Sequence, residues 1–375
     1  MEPDLVALAR ETRFFPLAEG GIVYLVRQKK IYGLNAPAAL IWQDVAEERS
    51  PTGTIRRLEQ RFALDAQTAR QWHDLALASF TATILRDAGA SESVPDEPCR
   101  QAPAPFSGGE TYRFFDERVR IAAPPEALAR INTLIGHLRE AEPPPGDDGD
   151  LWVSVTADGS RFRVSSGGDP PTREGVEGLT ADVERRIVQD IVPRAPHFLA
   201  FHGALLARHD DALLLTAPSG SGKTTLAVAL ARAGWSLLTD ELALLDRDLS
   251  WRGLPLRPCV KRENYDLIQR LFPGIEGVVE HVRFDRRVKF IPLPVVRAST
   301  ALKTVIFPQF KPGSAAAVRS LVPAEGLQRL LEQCVYIPLC FNEDDILRLI
   351  EWHGRVEYLS LEFGDAQAVV SLLEA

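Results

Sequence analysis

Residues 211–234 read DALLLTAPSGSGKTTLAVALARAG, and few folds accommodate such a stretch. Residues 211–216 form a short apolar run of the kind that makes a buried strand. Residues 225–233 carry a helical composition that Gly234 closes, and the glycine- and serine-rich segment 217–222 lies between them. Strand, glycine-rich loop and helix in that order predict a phosphate cradle in an α/β nucleotide fold. Gly220 and Gly222 let main-chain N–H groups converge on phosphates, and the helix adds its positive end. The expected nucleotide contacts are Ser219, Gly220, Ser221, Gly222, Lys223, Thr224 and Thr225, with ATP as ligand. Lys223 is placed to reach the β- and γ-phosphates, and the Thr224 hydroxyl to hold Mg²⁺. One position departs from the pattern: Ala217 stands where it asks for glycine, which is tolerable if the turn needs no positive φ there.

The chain is 375 residues long, more than one compact core usually organises, so two or three domains are expected. Residues 93–111, rich in Pro, Gly and Ser without hydrophobic period, read as a linker between a small unit, 1–92, and a larger one, 112–375. A net charge of −8 argues against gripping a nucleic-acid backbone. The first residues are charged throughout and no run approaches 18 apolar residues, so neither a signal peptide nor a membrane span is expected. Cys99, Cys259, Cys334 and Cys340 show neither a C-x-x-C pair nor zinc spacing and fit reduced thiols of a cytoplasmic protein.

Two features flank the loop. Residues 201–206 read as a strand hairpinned to the loop's strand through 208–211, with His202 near its start. Residues 235–245 read as a further strand carrying the acids Asp240 and Glu241, where a nucleotide-hydrolysing or kinase fold keeps its metal ligand or base. Taken alone, His202 is more simply a satisfied structural histidine, and the acid pair a surface turn.

Together, His202-Gly203, the loop ending in Lys223-Thr224 and the block Leu237-Leu238-Thr239-Asp240-Glu241 resemble the core of the HPr kinase/phosphorylase family. That bacterial family phosphorylates a serine on a small carrier protein, with a fold related to ATP-dependent phosphoenolpyruvate carboxykinase. It usually shows Asp-Asp where this chain has Asp240-Glu241. The block Gly253-Leu254-Pro255-Leu256-Arg257-Pro258 with Lys261 resembles shorter proteins related to it. The resemblance implies that Asp240 orients or deprotonates the acceptor hydroxyl, that His202 helps place that acid or the phosphate, and that Glu241 supports Mg²⁺ with Thr224. Arg257, Lys261 or the cluster Arg283, Arg286, Arg287 and Lys289 could supply a cation for the transferring phosphoryl group; a solvated basic strand accounts for the cluster equally well. The family's oligomers imply a homo-oligomer here.

In the small unit, residues 21–26 and 30–34 read as strands. Helical patterns follow at 38–45, 52–62 and 65–85, the first after Asn35 as N-cap and Pro37 in its first turn, which suggests a winged-helix-like α+β module. A candidate DNA-reading helix at 66–80 has only Arg70 and His73 as basic residues, which speaks against DNA. Ile31-Tyr32-Gly33-Leu34-Asn35 with Ala38, Ile41 and Trp42, and the end 85–89, resemble PqqD-like peptide-recognition domains. Those domains capture a leader peptide by strand addition at a sheet edge. The resemblance makes Tyr24, Val26 and Ile31 edge-strand contacts; the plainer alternative is that such residues build a small core. The whole then implies an ATP-dependent kinase acting on a serine of a ribosomally made precursor peptide or small protein. A carrier-protein kinase in a regulatory circuit and an ATP-driven switch or chaperone are the alternatives.

Overall fold

A computed structural model describes residues 3–89, 109–140, 151–166, 170–209 and 211–374. The chain is a mixed α/β protein built on several sheets. The first unit runs α1 (Pro3–Glu11), β1 (Arg13–Leu17), β2 (Gly20–Leu25), β3 (Lys30–Asn35), α2 (Ala36–Ala46), α3 (Pro51–Phe62) and α4 (Ala66–Ser79). A π-helical turn, Phe80–Leu85, and the short α5 (Arg86–Ala88) end it. The three strands form one antiparallel sheet in the order β1-β2-β3 and all precede α2–α4; the sequence patterns showed two of them, because β1 carries Pro16 and little alternation. Asn35 caps α2, its side chain accepting the Ala38 N–H at 3.0 Å.

Both faces of β2 are buried. Val23 and Leu25 pack on Trp42, Ile41 and Leu58 of the unit's own helices. Ile22 and Tyr24, with Ile31 of β3, pack instead into the core of the rest of the molecule beside Phe198 and Phe341. The first unit is therefore docked through its sheet. Of the linker expected at 93–111, residues 93–108 lie outside the described residues, as do Cys99 and residues 143–149; Glu110 and Thr111 already belong to a strand.

The second unit comprises β4 (Glu110–Phe114), β5 (Glu117–Ala122), α6 (Pro125–Ile135), β6 (Leu151–Asp158), β7 (Arg161–Ser166), β8 (Thr172–Glu174) and α7 (Leu179–Ile191). Its sheet has the order β4-β5-β6-β7-β8, parallel only between β5 and β6, and buries α6 and α7.

From there the chain runs through β9 (His197–His202), β10 (Ala204–Arg208), β11 (Asp211–Leu215), α8 (Lys223–Arg232), β12 (Ser236–Thr239), β13 (Leu242–Asp246) and β14 (Trp251–Gly253). Next come β15 (Cys259–Lys261), α9 (Tyr265–Leu271), β16 (Glu280–Arg283), β17 (Arg286–Phe290), β18 (Ser299–Thr300) and β19 (Thr304–Phe310). The end comprises β20 (Ala317–Ser320), α10 (Pro323–Leu331), β21 (Cys334–Tyr336), α11 (Glu343–His353), β22 (Glu357–Phe363) and α12 (Ala366–Glu374). Three sheets result: β12-β10-β11-β19-β22-β20, β18-β14-β13-β9-β21, and the small β15-β17-β16. In the six-stranded sheet Leu206, Leu213, Leu215 and Ile306 point to α8 and α12. Leu205, Leu214 and Val305 point the other way, into a core shared with Phe201, Trp251 and Trp352. That period of two is what the apolar runs encode.

Two expected strands are each broken. Residues 201–206 span the end of β9 and the start of β10, which belong to different sheets and meet at Gly203. Residues 235–245 likewise divide into β12 and β13, with Asp240 and Glu241 in the gap. Gly203 is required there, since a Cβ would sit 2.8 Å from the Leu215 carbonyl oxygen. Among the described residues no helix is long and apolar enough to cross a membrane, and Cys259, Cys334 and Cys340 are free thiols.

The close approach of β14 to β12 gives a test. A Cβ on Gly253 would lie 2.4 Å from the Leu238 carbonyl oxygen, and that backbone cannot yield without moving a strand. Gly253→Ala should lower stability by about 1–3 kcal/mol in urea unfolding. Gly277→Ala, at a position with open space, should stay within about 0.5 kcal/mol of the parent.

Candidate active site

The loop 217–222 leaves the end of β11 and enters α8. Gly220 and Gly222 hold φ of 90° and 89°, a region that disfavours side chains, and a Cβ at 222 would lie 2.8 Å from Phe363 Cζ. Ala217 is absent from the positive-φ positions, so its methyl carries no backbone penalty. No side chain caps the N-terminus of α8, so its first N–H groups and positive end are open to a ligand.

A cavity of about 910 Å³ opens over this helix end. It brings together His202, Ser219, Gly220, Gly222, Lys223, Thr224, Thr225, Asp240 and Glu241. Ser221 is half-buried beside them, and its Oγ has no hydrogen-bond partner among the described residues. The Lys223 ammonium is turned onto its own loop, donating to the Ala217 carbonyl and, at 3.3 Å, to the Pro218 carbonyl. Burial lowers its pKa, against the opposing pull of Asp240 and Glu241.

The acid pair is fixed by the strand break. Thr239 Oγ1 accepts the N–H groups of Glu241 at 3.1 Å and Leu242 at 3.2 Å, which ends β12 and restarts the chain as β13. The Glu241 carbonyl in turn accepts the Gly203 N–H and the His202 Nδ1–H, both at 3.1 Å. Burial lowers the pKa of the His202 ring, against the opposing pull of Glu241, and a neutral ring donating from Nδ1 keeps its lone pair on Nε2.

Asp240 is 6% exposed, and its Oδ1 has no hydrogen-bond partner among the described residues. Burial raises its pKa to about 7, with Glu241 adding to the rise; the Thr224 hydroxyl, the Lys223 ammonium and the Cys259 N–H favour the charged form without offsetting it. Glu241 Oε1 is paired with Arg283 Nη2 at 2.8 Å. The same guanidinium reaches Glu184 Oε1 at 2.6 Å. Burial opposes the charge of Arg283, but the two carboxylates more than offset this and hold it protonated. Burial raises Glu184, which keeps one oxygen unpartnered.

The basic candidates separate. Lys261 lies in the cavity and donates to Ser219 Oγ at 2.7 Å. Arg283 and Arg286 also line it. Arg257 does not: its Nη1 donates to the carbonyls of Asn132 and Thr133 at 3.2 and 2.7 Å, at the end of α6, where it ties the second unit to residues 254–258. That corrects its expected role as a phosphate contact. Arg287 pairs with Glu177 and Glu280, and Lys289 donates to the Ile275 carbonyl at 2.8 Å, so both serve the small sheet.

Glu184 went unread because it belongs to no motif and comes from the second unit. One signal was present: on α7 it shares the helix face of Leu179, Thr180, Val183, Ile187 and Ile191, where an acid is out of place. Among the described residues no group of three or more His, Cys, Asp or Glu side chains could hold a metal by itself. The hydroxyl of Thr224 and the carboxylates of Asp240 and Glu241 are nonetheless a hard oxygen set, which suits Mg²⁺ completed by phosphate oxygens.

A second cavity, about 720 Å³, borders the first unit. It follows β3, the outer strand of its sheet, between Trp72, Leu75 and Phe80 on one side and Gln328, Leu331 and Ile337 on the other. Ile31 and Ile41 line it. Tyr24 does not: it is on the central strand, 1% exposed, with its hydroxyl donating to the Phe341 carbonyl at 3.1 Å, so its place as an edge contact is corrected. Val26 lies in the turn after β2, outside the sheet. Trp42 is buried at 0% and belongs to the unit's core.

Asp240 holds its proton more tightly in the folded chain than an ordinary carboxyl does. Its contribution to stability is therefore complete below about pH 4 and is lost as pH rises through about 7. With neither Mg²⁺ nor nucleotide present, Asp240→Asn should gain on the parent over that window, by roughly 4 kcal/mol at most. Thermal melts at pH 4 and pH 8 test this, and a difference that does not grow with pH would refute it. No protein-family model matches the chain, and no curated protein matches it.

Proposed function

We propose that the chain is an ATP-dependent kinase that transfers the γ-phosphoryl group to a serine hydroxyl of a ribosomally made precursor peptide or small protein. On this reading its core is a phosphate-loop kinase of the HPr kinase type. One observation carries it: a buried carboxyl, Asp240, with a free oxygen faces the same cavity as Lys223 and the uncapped end of α8. An anion-binding helix end beside a proton acceptor is what transfer to a hydroxyl needs, since phosphoryl transfer depends on positioning and charge neutralisation.

In this reading the loop N–H groups, Lys223 and Lys261 hold the phosphates of ATP, and Lys223 turns from the loop carbonyls to do so. Thr224 and Glu241 would hold Mg²⁺, which would supply charge neutralisation at the phosphoryl group. Asp240 accepts the serine proton at Oδ1, the serine oxygen bonds to phosphorus, and the bond to the ADP oxygen breaks. A carboxyl whose pKa sits near 7 suits that task better than one fully ionised at neutral pH. His202 braces the acids through the Glu241 carbonyl.

The groove along β3 supports a peptide substrate. An outer strand offers unpaired backbone groups to an extended segment, and apolar walls on both sides accept its alternating side chains. Ile31 is the edge residue expected from the sequence that lines it.

Incubation with Mg²⁺, γ-labelled ATP and a candidate precursor should place a stable phosphate on a peptide serine, detected by mass spectrometry. Phosphate release with no labelled peptide would make the chain an ATP-driven switch instead. Asp240→Asn should lower transfer by about 10²–10⁴ while nucleotide binding persists. Leu75, 72% exposed at the groove, is a second handle. Leu75→Arg should raise the KM for a full precursor and leave that for a leaderless peptide unchanged; equal KM values for the full precursor would remove the groove from the proposal.

A further inference from the structure

The hairpin joining β16 and β17 pairs Arg283 with Arg286 and turns through Phe284 and Asp285 alone. Both turn residues have positive φ, 50° and 59°. Two-residue hairpins of this kind select Asn-Gly or Asp-Gly, because a side chain branching from a left-handed backbone is strained. Asp285 tolerates that conformation; a bulky aromatic residue adopts it only under strain. Nor does Phe284 repay the strain by packing: it is 79% exposed, the most exposed of the large hydrophobic residues described. Its contacts include the Arg283 guanidinium, 5.1 Å from the ring centroid. Folding has no use for this ring at this place, which points to a ligand.

Its position indicates which ligand. Phe284 lines the mouth of the catalytic cavity. The hairpin is tied to the acid pair, because Arg283 bridges Glu241 and Glu184. On the kinase reading the acceptor hydroxyl arrives at the acids, and the nucleotide base lies at the far end of the phosphate chain from them. We propose that Phe284 is a specificity-determining contact for the acceptor, holding an apolar side chain of the peptide adjacent to the serine that is phosphorylated. The inference rests on the kinase reading and deepens it. The flanking Arg286 is exposed and 3.8 Å from Glu263, so the apolar surface of this turn is confined to the ring.

The test uses the full chain, Mg²⁺·ATP and an array of synthetic serine peptides in which the residue beside the serine runs from Gly through Leu to Phe. The parent should prefer Leu and Phe. Phe284→Gly should raise the KM for those peptides by about tenfold to a hundredfold, the equivalent of a lost buried aromatic contact, and abolish the preference. The KM for ATP should not move, and Phe284→Tyr should retain the preference. Phe284→Gly should also melt at a higher temperature than the parent, because glycine relieves the backbone. A raised KM for ATP with the peptide KM unchanged would make the ring a base platform and overturn the proposal. So would an unchanged peptide KM, or a lower melting temperature, which would give the ring a structural role. If the parent phosphorylates none of the peptides, nor a precursor, the kinase reading itself fails and this proposal with it.

Discussion

The site depends on one carbonyl group. The Glu241 oxygen accepts the N–H of Gly203 and the Nδ1–H of His202, and so joins the two places where neighbouring strands leave one sheet for another. A buried carbonyl without partners costs about 1–3 kcal/mol, so this junction is held as well as marked. Because the strands part there, the side chains between them cannot be pointed to solvent by the ordinary alternation. Asp240 falls into the gap between two packed sheets, and its raised pKa follows from that placement. Gly203 is the geometric condition for it, since the Leu215 carbonyl occupies the space a side chain would need.

The cavity neutralises its own charges. Lys223 lies against loop carbonyls, Arg283 between two carboxylates, and Lys261 on Ser219. The acids are similarly engaged, except for one oxygen each of Asp240 and Glu184. A polyanionic ligand must therefore exchange these internal contacts for its own, and the cations with flexible stems, Lys223 and Lys261, can do so at little structural cost. Arg283 is different. It is held through one guanidinium nitrogen, Nη2, between acids from two separate parts of the fold, and moving it would leave Glu184 buried and uncompensated. Its hairpin is thus a fixed wall of the cavity.

What the sequence made legible was local. The apolar run, glycine loop and helix around Lys223 and the Asn35 cap follow from patterns within a dozen residues. What it hid was every change of partner. Residues 201–206 look like one strand because the end of β9 and the start of β10 are largely apolar, and nothing local says that Gly203 separates two sheets. Arg257 resembled a phosphate contact by its neighbours in sequence, yet helix carbonyls some 120 positions earlier claim it. Tyr24 has the composition of an edge-strand residue and sits on a central strand, because β1 carries Pro16 and was not legible as a strand. Glu184 enters the site from a helix with no motif, and its only trace was an acid on an apolar face.

The docking of the first unit bears on how a captured peptide would be used. A recognition module on a flexible tether raises the local concentration of its cargo but leaves the cargo free to sample many distances. Here Ile22, Tyr24 and Ile31 are buried in the larger core, and Tyr24 and Lys29 both donate to the Phe341 carbonyl at 3.1 Å. Gly33 lets α10 approach β3 so closely that a Cβ would lie 2.7 Å from the Gln328 Cα. The groove is thereby walled on one side by the larger core itself. From that wall the path to the cavity at Lys223 and Asp240 is short in covalent terms. Leu331 and Cys334 line the groove, and between them the Gln333 carbonyl accepts the His202 N–H at 2.9 Å. A peptide seated along β3 would then stand at a set separation from Asp240, and only serines at a set spacing from its anchor could reach the cavity. On the kinase reading, selection among the hydroxyls of one peptide would follow from that fixed span, with the contact at Phe284 refining it.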